Sequence, residues 1–148
     1  MKIRLAKESD CETVVRFVSE LMQELGFRDF DGEGVDEIFM DFVQSKERGY
    51  VMLSESNDNI CGLCTVSIVM ALRTKGVYGI IQEMYILPGI RGQGIGEKLL
   101  ETALEYAQTI GCSMVEVGTP PEGSRQGRFY QRGGFKRFGD RFRYTFNG

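Results

Sequence analysis

With 148 residues, 42% hydrophobic and 26% charged, the chain is long enough for one domain, over residues 1–148, with a buried core. Its 18 basic and 21 acidic residues leave a net charge of −3, which argues against general nucleic-acid binding, and the lack of histidine excludes Ser-His-Asp and Cys-His catalysis. No run approaches the ~20 apolar residues of a membrane span, and Met1-Lys2-Ile3-Arg4 lacks a signal-peptide core, so a cytoplasmic protein is expected.

Residues 2–6 alternate enough to open a sheet. Ser9-Asp10-Cys11-Glu12 reads as a capping box and starts a helix with Val14, Val15, Val18, Leu21, Met22 and Leu25 at core-facing spacing. A polar loop over residues 26–34 carries Phe27 and Phe30. A second helix places Val35, Ile38, Phe39, Phe42 and Val43 on one face. Residues 50–55 and 60–72 form an expected hairpin around Ser56-Asn57-Asp58-Asn59. The pair Cys61 and Cys64 resembles half a metal or redox site, but neither a second pair nor a histidine completes it. Buried structural thiols are the expectation for Cys11, Cys61, Cys64 and Cys112.

A strand from Gly76 to Pro88 leads into Arg91-Gly92-Gln93-Gly94-Ile95-Gly96, which opens the third helix. Glycines at a helix start let backbone N–H groups approach a ligand closely, and the first-turn N–H groups lack intrahelical partners. The helix dipole adds partial positive charge there, so a phosphate-bearing ligand is expected. A dinucleotide fingerprint would need glycine where Glu97 stands, and a P-loop would need Gly-Lys-Ser/Thr where Glu97-Lys98-Leu99 stands. The third helix turns Ile95, Leu99, Leu100, Ala103, Leu104, Ala107 and Ile110 inward and stops at Gly111.

Beyond it come a short strand at residues 113–117, a polar turn at Thr119-Pro120-Pro121-Glu122-Gly123, and a short helix ending at Gly133-Gly134. The aromatic-alternating stretches 135–138 and 142–146, around Gly139-Asp140, read as two closing strands. Charge divides along the chain. Arg125, Arg128, Arg132, Lys136, Arg137, Arg141 and Arg143 face a single late acid, Asp140, whereas Asp29, Asp31, Glu33, Asp36, Glu37 and Asp41 have no base among them. A basic end suits cofactor phosphates. The acidic stretch suits a cationic acceptor, although two solvated faces explain the division as well.

The Arg-x-x-Gly-x-Gly pattern of Arg91, Gly94 and Gly96 follows the strand Glu83-Met84-Tyr85-Ile86-Leu87-Pro88 and precedes Phe129-Tyr130-Gln131-Arg132-Gly133-Gly134-Phe135. Together with the element order, it resembles the GNAT superfamily of N-acetyltransferases over essentially the whole chain. The resemblance implies an α/β (α+β) fold: a mixed, mostly antiparallel twisted sheet of about seven strands flanked by four helices, in the order β-α-α-β-β-β-α-β-α-β-β. It also implies acetyl-CoA as donor. The pyrophosphate would be held by Arg91, Gly92, Gln93, Gly94, Ile95 and Gly96, and the pantetheine arm by backbone groups of Met84 and Ile86. An N–H of Met84 or Tyr85 would polarise the carbonyl.

By the same resemblance Tyr130 is the acid that protonates the leaving thiolate, and a phenol of pKa near 10 suits that task. The family often has Asn where this chain has Gly123, so Ser124 or Arg128 is taken as the substitute cofactor contact. For the base, Glu83 and Gln82 are neighbours on one strand and are expected to face opposite ways, which leaves Glu83 or a water chain. Glu24, Tyr50 and Tyr85 are further candidates for the acceptor pocket. The leading expectation is acetyl transfer to a primary amine of a small molecule, with no nucleic acid, membrane or metal involved and a homodimer left open. The competing expectations are a CoA-binding regulatory module without turnover and an acetyltransferase of protein N-termini or lysines.

Overall fold

The computed structural model describes residues 1–118, 123–139 and 141–146. Thr119, Pro120, Pro121, Glu122 and Asp140, part of the expected turns, lie outside the described residues. The chain divides into two compact units, Met1–Val117 and Gly118–Gly148.

The first unit is built on a five-stranded sheet in the order β1-β2-β3-β4-β5. Its strands are β1 (Lys2–Leu5), β2 (Gly49–Ser56), β3 (Asn59–Ala71), β4 (Gly76–Ile86) and β5 (Val115–Val117). The first three pairings are antiparallel and β4–β5 is parallel, so the sheet is mixed. The β2–β3 turn is as tight as the sequence implied. Asn57 and Asp58 both take left-handed φ, at 51° and 63°, the conformation that matches strand twist in a two-residue hairpin.

Helices α1 (Cys11–Glu24) and α2 (Val35–Gln44) cover one face of the sheet and α3 (Ile95–Thr109) covers the other. The core of the first face joins Val14, Phe17 and Leu21 of α1 and Phe39 of α2 to Val51, Leu53, Leu63 and Tyr85. Phe17 is fully buried, although the expected stripe omitted it; it sits one turn from both Val14 and Leu21. Leu25, counted in that stripe, is exposed. On the opposite face Leu99, Leu100, Ala103 and Ala107 are buried, and the Tyr50 hydroxyl donates to the Ala103 carbonyl at 2.6 Å. Tyr50 therefore serves the core. The end of α3 is the expected glycine stop: Gly111 has φ of 98°, its N–H reaches the Gln108 carbonyl, and the Cys112 N–H reaches Ala107.

Two expectations are corrected. The capping box at Ser9 does not form, because residues Glu8–Asp10 wind as a 3₁₀ turn before α1. The Asp10 carboxylate is drawn instead to the Lys7 N–H and, by two bonds, to the Arg4 guanidinium. The sheet has five strands rather than about seven: among the described residues, none beyond Val117 is in a strand. The rings of Phe138, Phe142, Tyr144 and Phe146 are exposed, so their alternation meets no buried face, and a hairpin without one is marginal.

The second unit holds α4 (Arg125–Arg132). Ser124 caps it by accepting the Gly127 N–H at 3.1 Å, and the Arg128 guanidinium bonds the Gly123 carbonyl.

Candidate active site

The site begins at an interruption in β4. Pairing with β3 runs Thr65–Glu83 on one side of a register shift and Val66–Ile81 on the other. Gln82 is thus the additional residue of a β-bulge, which bends a strand and re-aims its side chains. Strict alternation therefore does not hold through Gln82 and Glu83, and the expectation that they face opposite ways loses its premise. The structure leaves Gln82 exposed and Glu83 half-buried.

Parallel pairing with β5 ends at the same place, since Gly79, Ile80 and Ile81 are the β4 residues with β5 partners. The Leu87 N–H donates to the Cys61 carbonyl at 3.0 Å. Given the pairs Ile86–Gly62, Tyr85–Leu63 and Met84–Cys64, the main-chain groups of Leu87 and Tyr85 turn toward β3, and those of Met84 and Ile86 turn away. The Ile86 carbonyl agrees with this, because it accepts from Arg91 Nε at 2.8 Å, off the ladder. Of the two N–H groups expected to polarise a carbonyl, that of Met84 lies on the open edge.

The strand runs directly into the glycine turn. Pro88–Ile90 form one 3₁₀ turn. Gly92 and Gly94 then take φ of 82° and 83°, a left-handed conformation that disfavours other residues. Gly94 is the N-cap of α3 and makes no side-chain cap bond, so the first-turn N–H groups of Ile95 and Gly96 take no cap from it. Such a donor set, with the helix dipole behind it, fits a pyrophosphate.

Arg91 holds this turn from outside. Its guanidinium pairs with Glu24 at 2.7 and 2.8 Å and lies 5.4 Å from the centre of the Tyr85 ring. Tyr85 is buried, meets Phe17 edge-on and donates its hydroxyl to Glu20 at 2.9 Å. Burial, more than the bond to Glu20, pushes its phenol up to about 12. The sequence named Glu24 and Tyr85 as pocket candidates but did not reveal that both anchor Arg91.

Glu83 lies beside Thr65, which is 3% exposed. The Thr65 hydroxyl donates a short hydrogen bond to the Glu83 carboxylate and accepts the Glu83 N–H at 3.0 Å. Burial raises the Glu83 pKa above the usual carboxylate range, and the Thr65 bond opposes it. A raised carboxylate pKa suits a group that must take a proton near neutral pH. Thr65 was missed in the sequence, where nothing marks it out among the residues of β3.

In the second unit Tyr130 is half-buried, with its ring edge-on to Phe129 and Phe135. Cys61 and Cys64 are both buried and free, as expected of structural thiols, whereas Cys11 and Cys112, expected to be buried as well, are only half-buried. No cluster of potential metal ligands occurs among the described residues. A recess of about 420 Å³ is lined by Met22, Gly26, Phe27, Arg28, Asp29 and Phe30.

The site is thus a bulged strand that loses its parallel neighbour and feeds a glycine turn at a helix start. A model of the acetyltransferase (GNAT) family matches residues 15–135, and the chain belongs to that family of acetyl-CoA-dependent N-acetyltransferases. Aminoalkylphosphonate N-acetyltransferase of Salmonella typhimurium is 30% identical over 145 residues, 97% of this chain and 89% of that one. Thialysine N-epsilon-acetyltransferase of Mus musculus is 29% identical over 129 residues, 78% of this chain and 72% of that one. A solved structure described as a predicted acetyltransferase with acetyl-CoA, from Clostridium acetobutylicum, superposes with a TM-score of 0.83 at 19% identity, covering 97% and 95% of the two chains.

Proposed function

We propose that this N-acetyltransferase acts on a primary amine of a small molecule, with Glu83 as base and Tyr130 as acid. The observation that carries the reading is the open edge of β4 at Met84 and Ile86, continuous with the glycine turn of α3. Residues 1–148 are taken as one catalytic domain, a reading supported by a family match that runs through both units.

Acetyl-CoA supplies an acyl group activated as a thioester. The turn from Gly92 to Gly96, including Gln93, Gly94 and Ile95, holds its pyrophosphate by backbone N–H groups, and Arg91 braces that turn through Ile86 and Glu24. The main chain of Met84 and Ile86 accepts the pantetheine arm as an added strand. The Met84 N–H donates to the thioester oxygen as negative charge develops there. Glu83 removes one proton from the acceptor ammonium, through water, so that the nitrogen lone pair can form the new C–N bond. As the C–S bond breaks, Tyr130 gives its proton to sulfur, and the phenolate regains a proton lost by the acylated nitrogen. Arg128 and Ser124 are the further cofactor contacts: the Arg128 guanidinium has donors beyond the one used on Gly123, and the Ser124 hydroxyl still has its proton to donate.

Two named relatives act on small amines, an aminoalkylphosphonate and thialysine, which favours a small acceptor over a protein one. The acidic stretch from 29 to 41 has local duties that temper the cationic expectation. Asp31 accepts the Glu33 N–H at 3.0 Å, and Asp36 and Glu37 stand in the first turn of α2, where the helix dipole favours acids.

The test is thiol release from acetyl-CoA with a panel of aminoalkylphosphonates, amino acids, polyamines and lysine peptides. Turnover with small amines is expected, and Tyr130→Phe should lower kcat by roughly 100-fold. Acetyl-CoA binding without release against any amine would mark a regulatory module. Preference for the peptides would mark a protein acetyltransferase.

A further inference from the structure

The contact between Thr65 and Glu83 is more specific than a sheet requires. Thr65 is the last β3 residue in register before the bulge, and its hydroxyl meets two atoms of one partner: it accepts the Glu83 N–H and donates to the Glu83 carboxylate. A hydroxyl has one proton to give. With the N–H on its lone pair, that proton is directed to the carboxylate. The strand bend, the main chain and the side-chain rotamer of Glu83 are thereby fixed by one oxygen atom, itself 3% exposed with the rest of Thr65.

The groups around this carboxylate do not compete for the task. On β3, Cys64 neighbours Thr65, and burial pushes its thiol up to about 12. On β4, the hydroxyl of Tyr85 is committed to Glu20 of α1. The β2 partner of Thr65 is Val51, which is apolar. Among the described residues no cation forms an ion pair with Glu83. Among the described residues Thr65 is therefore the polar side chain that hydrogen-bonds this carboxylate.

We propose that Thr65 is a positioning residue for the reaction: its hydroxyl orients the Glu83 carboxylate toward the acceptor amine and favours its ionised form. The proposal rests on the reading of Glu83 as base. A bond to the ionised form lowers a carboxyl pKa, so its removal moves the acid limb of the rate profile to higher pH.

The experiment compares Thr65→Val, Thr65→Ser, Glu83→Gln and the double variant Thr65→Val/Glu83→Gln, with melting curves to establish folding. Thr65→Val should lower kcat about tenfold and leave KM for acetyl-CoA unchanged. It should also shift the acid limb upward by about half a pH unit or more. Thr65→Ser, which keeps the hydroxyl, should restore both. In the Glu83→Gln background, loss of the Thr65 hydroxyl should have little further effect, because the two residues act as a unit. A folded Thr65→Val enzyme with wild-type kcat and pH profile overturns the proposal while leaving Glu83 as base. The proposal also fails if the two substitutions reduce the rate independently, or if Thr65→Ser is as slow as Thr65→Val. If Thr65→Val does not fold, Thr65→Ala, which also lacks the hydroxyl, takes its place against Thr65→Ser with the same expected and overturning results. Glu83→Gln at the wild-type rate removes the base reading, and the proposal with it.

Discussion

Arg91 and Glu24, 67 residues apart in the chain, are joined by two parallel hydrogen bonds of 2.7 and 2.8 Å. The forked guanidinium matches a carboxylate in this way and a lysine cannot. The same side chain donates to the Ile86 carbonyl, so one cation links the last residue of α1, the last residue of β4 and the glycine turn. Arg91 thus fixes the entry to the turn from behind, and in the proposed function the backbone N–H groups from Gly92 to Gly96 meet the pyrophosphate.

Glu24→Gln should therefore affect cofactor binding more than stability. The pair is partly exposed, with side-chain accessibilities of 29% and 43%, and such pairs contribute at most about 1 kcal/mol. Melting should fall by no more than about 4 °C. KM for acetyl-CoA should rise roughly threefold to tenfold with kcat retained, which steady-state kinetics at saturating amine will read. An unchanged KM would show that the turn holds its shape without Arg91.

Gly94→Ala tests the turn itself. A Cβ at Gly94 would meet no atom within 4 Å, so the penalty is confined to the backbone at φ of 83°. A left-handed residue other than glycine costs about 1–2 kcal/mol, or roughly 3–8 °C in melting temperature. KM for acetyl-CoA should rise more than about tenfold as the first-turn N–H groups move. Gly89→Ala is the control, since Gly89 also has open space around it and no left-handed φ. If both substitutions behave alike, the left-handed φ is not what the turn depends on.

What the sequence made legible was local. The glycine turn, the stop at Gly111, the Asn57-Asp58 hairpin and the inward stripe of α3 each depend on residues a few positions apart, where spacing and backbone preference carry the information. Thr65 with Glu83 and Arg91 with Glu24 span 18 and 67 residues, and no period announces them. The bulge at Gln82 is similarly hidden, because an additional residue in a strand has no composition of its own. Phe138, Phe142, Tyr144 and Phe146 show the opposite failure. Their alternation is a genuine strand signal, but period alone does not supply the ladder partner that a strand needs.

Asp10→Asn should weaken the fold in a pH-dependent way. Asp10 is 7% exposed, and the bonds from Arg4 hold its carboxyl below the usual carboxylate range. A depressed folded pKa gives stability that is present above the unfolded value of about 3.9 and lost as pH falls through the folded value. At pH 7 the variant should lose about 1–3 kcal/mol. The gap between variant and wild type should narrow as pH falls below the unfolded value, because the unfolded chain then takes up a proton that the folded carboxylate resists. Parallel melting curves across this range will check it, and a gap that stays constant down to pH 2 rules out the ion pair as its source.

Glu83→Gln carries the opposite sign. Burial raises the Glu83 pKa in the folded state above the unfolded value of about 4.3. The folded protein therefore binds that proton more tightly than the unfolded chain, and its stability falls as pH rises through the folded pKa. Above the folded pKa the wild type keeps a charge in a poorly solvated position, and the Gln variant does not. The variant's oxygen can still accept from Thr65. Its melting temperature should equal or exceed that of the wild type at pH 8, and the difference should shrink toward pH 4. Activity should fall at the same time, which is the trade-off expected where a site keeps a destabilising group for its chemistry. A Gln variant that is less stable than the wild type at pH 8, and relatively more stable at pH 4, would show instead that the Thr65 bond outweighs the burial of the charge.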